Sequence, residues 1–446
     1  MQAAQGNGIE PFRKRVSWQC LVTALAVFLP FFFLSGVCTA EKIFFAGYKG
    51  GFYIRSEEEG GMALRLGGAF QSDYRYYLED ERADNRFDIR RARLLFRGDL
   101  TRWFRYGMEF EFQGNETDNI VEAYAEGVYG RHALKGGQYK EPFSLEWQTR
   151  DKGQFFAERS MAYSLGPKRD IGLMLHGSLG YDTFNYAAGL FNGDGTDGAS
   201  RGNEHDEPEL AARVVLAPFK SGGNAALRQL QFGASATYAD IDLANVDLAI
   251  KSTGMAGTSR NLYVLGHNTK FGVLQDVDSR QRVGLEGAWA LGPLLLQGEY
   301  VLFKYTGLKP SGDPRMDATF SAWYAAAAVC LTGEQQILRR GVVKPVYPGA
   351  FFNPDAGTYG AVCLAARLEH FDGDADWINP AANVSVREAD AWGVAVNWIL
   401  FPMVRIIFDF THTDFSDPLR VRVLPDGSVD YIDEENVFTC RFSMDF

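Results

Sequence analysis

The side chains best suited to chemistry in this chain are arginines. Residues 86–98 carry Arg90, Arg91, Arg93 and Arg97, and the segment before them adds Arg65 and Arg75. A planar guanidinium holds an oxyanion through paired donors and stays charged at any physiological pH, so the cluster suits reversible recognition of phosphate-like anions. Glu109, Glu111, Glu122 and Glu126 follow closely, which leaves a second reading open: arginines paired with acids along a hydrated wall, and a path without anion preference. The six histidines lack HxxxH or HExxH spacing, and there is no GxSxG element or phosphate-binding loop. No metal, no cofactor and no catalytic group is expected. His176 and His412 lie in strand-like segments, with no nucleophile placed beside either by the sequence.

Arginines act on an anion in transit only if a framework turns them toward water, and a period of two supplies one. In residues 62–77, Met62, Leu64, Leu66, Gly68, Phe70, Tyr74 and Tyr76 share a face, opposite Arg65, Gln71, Asp73 and Arg75. Residues 103–113 repeat it, with Phe104, Tyr106, Met108, Phe110 and Phe112 against Arg105, Glu109, Glu111 and Gln113. A soluble β-sandwich also hides one face of each strand. Here, however, the apolar face is large and aromatic in segments of ~9 to 11 residues, and 14% of the chain is aromatic, as for strands facing lipid. The last strand alternates to a C-terminal Phe446, as outer-membrane barrels do.

The pattern predicts an all-β fold, a transmembrane antiparallel β-barrel of about sixteen strands. They fall at about 62–77, 86–98, 103–113, 119–129, 132–139, 170–178, 183–192, 208–217, 228–240, 280–290, 292–304, 318–332, 358–371, 388–400, 402–413 and 436–446. Tight connections at 99–102, 130–131, 179–182, Gly292 and Pro402 alternate with long ones at 140–169, 193–207, 241–279, 372–387 and 414–435, as periplasmic turns alternate with outer loops. The long connection 333–357 breaks this rule. A ring this wide leaves an aqueous lumen, so a channel is expected. Strand parity turns Arg91, Arg93 and Arg97 inward beside Arg65 and Arg75. Arg90 breaks parity and must either snorkel at the membrane edge or sit on a bulge.

The ends fit export. Arg13, Lys14 and Arg15 precede an uncharged apolar stretch from Val16 to Val37 and a small-residue exit at Cys38-Thr39-Ala40, so residues 1–40 are expected to be a cleaved signal peptide. Residues 41–61 then form a periplasmic lead-in and 62–446 the barrel. Without residues 1–40 the formal charge falls from −11 to −13, which argues against nucleic acid as a partner. Cys330 and Cys363 flank the connection between two predicted strands; a bridge and two free thiols both remain open, because a sequence does not supply their separation.

Several segments resemble the phosphate-selective porin family of Gram-negative outer membranes (the porin O and P type). They are Ile89-Arg90-Arg91-Ala92-Arg93, Gly137-Gln138-Tyr139-Lys140-Glu141-Pro142-Phe143-Ser144, Glu158-Arg159, Ala188-Gly189-Leu190-Phe191-Asn192-Gly193, Leu331-Thr332-Gly333-Glu334 and Trp392-Gly393-Val394-Ala395-Val396-Asn397-Trp398. Gly360-Ala361-Val362-Cys363 departs from the family, standing where an aromatic and acidic pair is expected. The resemblance implies a homotrimer in the outer membrane, in contact with its lipid and lipopolysaccharide, that passes inorganic phosphate or similar small anions. It also implies that the third outer loop, 140–169, folds inward and sets the constriction, which makes Lys140, Arg150, Lys152 and Arg159 pore candidates. The family's phosphate site combines early-strand arginines with a lysine of this loop, and Arg90, Arg91 and Lys152 occupy the matching stretch. A general or cation-preferring diffusion porin is the alternative. A barrel enzyme or an adhesin would instead require a catalytic constellation or a blocked lumen.

N-terminal sequencing of the protein purified from outer membranes is expected to begin at Glu41; an intact Met1 would make the apolar stretch an anchor rather than a signal.

Overall fold

The computed structural model describes residues 43–446 apart from 49–50, 59, 79–84, 114–118, 194, 196–207, 242–247, 257, 259, 266–273, 311, 380–381, 383 and 424–425. The signal-peptide expectation, residues 1–40, lies outside the described residues. A hairpin of β1 (Phe44–Tyr48) and β2 (Phe52–Ser56) comes first. Nine wall strands follow: β3 (Ala63–Tyr77), β4 (Arg86–Thr101), β5 (Phe104–Glu111), β6 (Ile120–Tyr129), β7 (His132–Lys140), β8 (Arg169–Leu179), β9 (Phe184–Phe191), β10 (Glu209–Leu216) and β11 (Leu230–Asp240). Three short strands, β12 (Leu248–Ile250), β13 (Tyr263–Leu265) and β14 (Leu274–Asp276), lie in the next connection. Seven wall strands complete the barrel: β15 (Ser279–Leu291), β16 (Leu294–Pro310), β17 (Met316–Cys330), β18 (Ala361–Asp372), β19 (Glu388–Phe401), β20 (Val404–Val423) and β21 (Val429–Asp445).

Each wall strand pairs antiparallel with its neighbours, and β21 returns to β3 from Val437↔Tyr77 to Asp445↔Ala69. The sixteen wall strands therefore close into a ring, and every predicted segment is one of them. The seam is finished by the last residue: Phe446 N donates to Gly68 O at 3.0 Å and Gly68 N to Phe446 O at 2.9 Å. The lead-in hairpin continues the sheet below the seam, with β2 paired to the first residues of β3 from Phe52↔Leu66 to Arg55↔Ala63.

The faces are inverted relative to a soluble domain. Gln71, Asp73, Arg75, Arg91, Glu122, Arg367, Asp409 and Arg441 are buried inside, while Leu173, Leu175, Leu210, Leu285, Trp392, Val394 and Phe408 are exposed on the outer wall. One expected boundary needs correction. Residues 414–435, predicted as an outer loop, mostly continue β20 and β21, with Leu419↔Ile432 paired across the hairpin and both buried. Acids at Asp414, Asp417 and Asp430 mimic a loop, yet Phe415, Leu419 and Ile432 keep an apolar inner face.

Part of the interior is a packed core. The third outer loop folds inward as expected, but it is not alone. The described residues of 241–279, a stretch expected outside, also turn in. Their Ile250, Met255, Leu262, Tyr263 and Leu265 pack with Phe143, Met161 and Leu165 of the third loop against Phe303 and Phe320 of the wall and Trp377. The exceptional periplasmic connection, 331–360, turns in from the other end. Its Leu338, Val343 and Val346 share a second cluster with Leu145, Phe155 and Phe156. Cys330 and Cys363, register partners in β17 and β18, form a disulfide at its base.

At Gly68 an added Cβ would stand 2.6 Å from the Phe446 ring and 2.7 Å from Arg93 O. Gly68→Val is expected to destabilise the seam by about 1–3 kcal/mol, the usual cost of overpacking. The check is the temperature at which the fast-migrating folded band is lost on a gel; an unchanged temperature would mean that the C-terminal pair does not hold the seam.

Candidate functional site

Wall carboxylates place the third loop. Glu299 of β16 accepts from Leu145 N at 2.9 Å and Glu146 N at 2.6 Å, capping the turn Leu145–Gln148 together with Ser144 Oγ, which accepts from Trp147 N at 3.1 Å. Glu369 of β18 accepts from Met161 N at 2.6 Å, and Asp409 of β20 accepts from Ala157 N at 2.7 Å. Asn397 donates to Phe155 O at 2.7 Å, and Arg405 donates to Gln154 O at 2.6 Å. The loop is thereby fixed to the β16–β20 side of the barrel.

Two acids of the loop meet the expected arginines. Ladder register slips between Gln71↔Arg91 and Ser72↔Ile89, which leaves Arg90 on a bulge and turns it inward. There Arg90 Nε and Nη2 donate to the two oxygens of Glu158 at 2.8 and 3.1 Å. Arg75 joins at 2.5 Å and Arg441 at 2.8 Å, and Arg441 also holds Asp73 with paired bonds of 2.6 and 2.7 Å. The second acid, Asp151, lies 2.8 Å from Arg159, 3.3 Å from Arg91 and 3.7 Å from Arg93. Desolvation raises both carboxyls, but the arginines win: Arg90, Arg441 and Arg75 hold Glu158, and Arg91, Arg159 and Arg93 hold Asp151, well below the ordinary carboxylate range.

These arginines therefore dock the loop rather than line the water alone. The wall acids are also engaged: Arg93 bonds Glu111 at 2.6 Å and Glu109 at 3.1 Å, Arg97 bonds Glu122 at 3.0 Å, and His176 meets Glu126 at 2.6 Å. Arg65 is exposed at the periplasmic end of β3, opposite Arg97 in register, and Arg150 is exposed on the loop. Lys152 is half-buried, and its ammonium has no hydrogen-bond or ion-pair partner among the described residues.

A second cationic cluster surrounds Trp147. Lys140 stands 4.4 Å from the ring centroid, Arg169 4.9 Å, Arg159 5.4 Å and Lys168 6.0 Å. Burial, then the charges of Arg159 and Arg282, pull the Lys168 amine well below its ordinary value. Arg280 and Arg282 of β15 share Glu209 at 2.5 and 2.7 Å. Lys168, Arg169, Arg280 and Arg282 were not singled out by the sequence. Parity marks Arg280 and Arg282 as sharing one face of their strand, but only the inward loop brings that face near Lys168.

A family model described as phosphate-selective porin O and P matches residues 64–446. Porin O of Pseudomonas aeruginosa is 28% identical, over 80% of this chain and 84% of that one. Among solved structures, in-vitro folded OmpT, an outer membrane protein of Vibrio cholerae in its trimer form, superposes with a TM-score of 0.51 at 10% identity, covering 86% of this chain and 100% of that one. The anion-selective porin from Comamonas acidovorans does so with a TM-score of 0.50 at 14% identity and the same coverage. At such identities these two structures share the barrel fold.

Glu158→Gln leaves two buried guanidinium groups, Arg75 and Arg441, and the half-buried Arg90 short of a charge and is expected to destabilise the folded barrel by about 3–5 kcal/mol. Because the folded-state pKa of Glu158 is depressed, its contribution is full above the unfolded value of about 4.3 and is lost as pH falls through the lower folded value. Thermal unfolding of wild type and variant between pH 8 and pH 3 checks both points; a gap that is already closed at pH 5 would refute the assignment.

Proposed function

The chain belongs to the family of phosphate-selective porins O and P and is an outer-membrane β-barrel channel; from that premise we propose that it passes small anions by passive diffusion, with preference for inorganic phosphate and related oxyanions. The observation that carries this reading is the crowding of Lys140, Arg159, Lys168 and Arg169 around Trp147. Burial pulls the Lys168 amine down first and the charges of Arg159 and Arg282 add to that, and an anion entering among these groups offsets the repulsive part. Nε of Arg97, Arg169, Arg280 and Arg282 is buried without a hydrogen-bond acceptor among the described residues, so the protein does not fill the donor capacity of these guanidinium groups. Several weak contacts suit conduction better than one tight site, because the anion must also leave.

Lys152 joins this path as a half-buried cation of the inward loop whose ammonium makes no hydrogen bond or ion pair among the described residues and whose charge acts on Asp445. Glu109, Glu111, Glu122 and Glu126 are each engaged by a basic group, which reduces their competition for cations. The functional unit on this reading is a homotrimer, set among lipid and lipopolysaccharide and exported by the segment 1–40.

Planar-bilayer recordings test the proposal. Wild type is expected to show an anion-sign reversal potential under a salt gradient and block of chloride current by phosphate. Lys152→Glu is expected to weaken that block roughly tenfold or more, the worth of about 1.4 kcal/mol. A cation-sign potential without phosphate block would keep the channel and reject the substrate.

A further inference from the structure

The connection 331–360 does not hang below the barrel. Its centre folds back on itself, with Leu338 bridged to Val343, Arg339 N donating to Val342 O at 3.0 Å and Lys344 N to Ile337 O at 2.9 Å. Arg340 and Gly341 take positive φ of 53° and 67° at the tip, the left-handed geometry of a tight reversal. The wall then grips this small hairpin. Leu338 N and Gly341 N donate to Gln229 Oε1 and Gln231 Oε1, both at 2.8 Å, and Arg213, itself paired with Glu286 at 2.6 Å, donates to Gly341 O at 2.7 Å. At the mouth, Asp182 in the turn between β8 and β9 accepts from Arg340 at 2.9 Å and also faces Lys220 at 3.4 Å and Arg131 at 3.6 Å.

The tip also touches the third loop. Val343 N donates to Thr149 Oγ1 at 3.1 Å, and Val343 O lies 2.8 Å from where a side chain on Gly153 would start. Only glycine lets the two backbones approach this closely. Leu338, Val343 and Val346 share one apolar cluster with Leu145, Phe155 and Phe156 of the loop, and the same cluster contains Cys330 and Cys363. Lys152 lies in the loop segment between these contacts, beside Gly153.

We propose that residues 337–344 are a strap that carries the third loop from its periplasmic side, and that the Cys330–Cys363 bridge is the latch that keeps the strap seated. The bridge joins the two ends of the connection where β17 and β18 last pair, so it removes the freedom of both strand ends to fray and of the strap to descend. Without it the strap leaves the mouth part of the time, the periplasmic half of the lumen widens, and the loop bearing Lys152 loses its support. Cys330, Cys363 and Arg213 are positioning residues on this account.

The inference rests on the channel reading alone and not on the sign of selectivity, so its readout is single-channel conductance in potassium chloride. Cys330→Ser/Cys363→Ser is expected to add a state of higher conductance, roughly twice that of wild type, and to weaken phosphate block if wild type shows one. Asp182→Asn loosens the strap without touching a cysteine and is expected to shift conductance in the same direction. Unheated gel mobility identical to wild type controls for folding of each variant. Wild-type conductance in both folded variants would overturn the latch, as would a loss of thermal stability unaccompanied by any change in current. A wild-type protein that forms no channel would instead refute the channel reading itself.

Discussion

Hydrocarbon offers no hydrogen-bond partner to a backbone, so a sheet that crosses a membrane must satisfy every N–H and C=O of its wall internally. Closure of β21 onto β3 meets that demand, and the terminal pair between Phe446 and Gly68 carries it to the last residue. Much follows from this ring. Strands that alternate must turn apolar side chains outward and polar ones inward, and sixteen of them enclose more space than wall side chains can fill. The interior must therefore be completed by chain from elsewhere.

Inward connections complete it; they share apolar clusters, and each adds contacts of its own. In the third loop, Glu158 and Asp151 are stable as partly buried anions because arginines of β3, β4 and β21 and of the loop itself surround them. The described residues of 241–279 are held by apolar burial against the β16–β18 side, where Tyr263 lies among Phe320 and Phe371. The strap is held by side-chain amides and a covalent bridge. A lumen packed on one side and polar on the other makes the path asymmetric, with cations gathered on β7, β8 and β15 and on the third loop.

A guanidinium has five donors, and a carboxylate seldom occupies all of them. Arg93 meets three acids and Arg97 two, yet the buried Nε of Arg97 has no hydrogen-bond acceptor among the described residues. Structural pairing fixes where the charge stands.

Much of the wall was legible in the sequence because a strand's two faces differ every second residue, and that signal is local. All sixteen segments, the inward side of Arg75, Arg91, Arg93 and Arg97, and the two choices for Arg90 came from it; the bulge was the choice the family resemblance favoured. What alternation does not carry is contact between residues far apart in the chain. It left undecided that Arg441 would reach Glu158, that Arg282 would stand near Lys168 and that Cys330 would bond Cys363, and it put residues 241–279 among the outer loops and gave no sign that 331–360 turn into the barrel. Those contacts depend on barrel register and on how loops fill a shared space, and a linear pattern of period two has no term for either. The sequence by itself determined which side chains face the lumen; the tertiary structure decided which of them are neutralised there, because pairing needs distance, and distance exists only once the ring has closed.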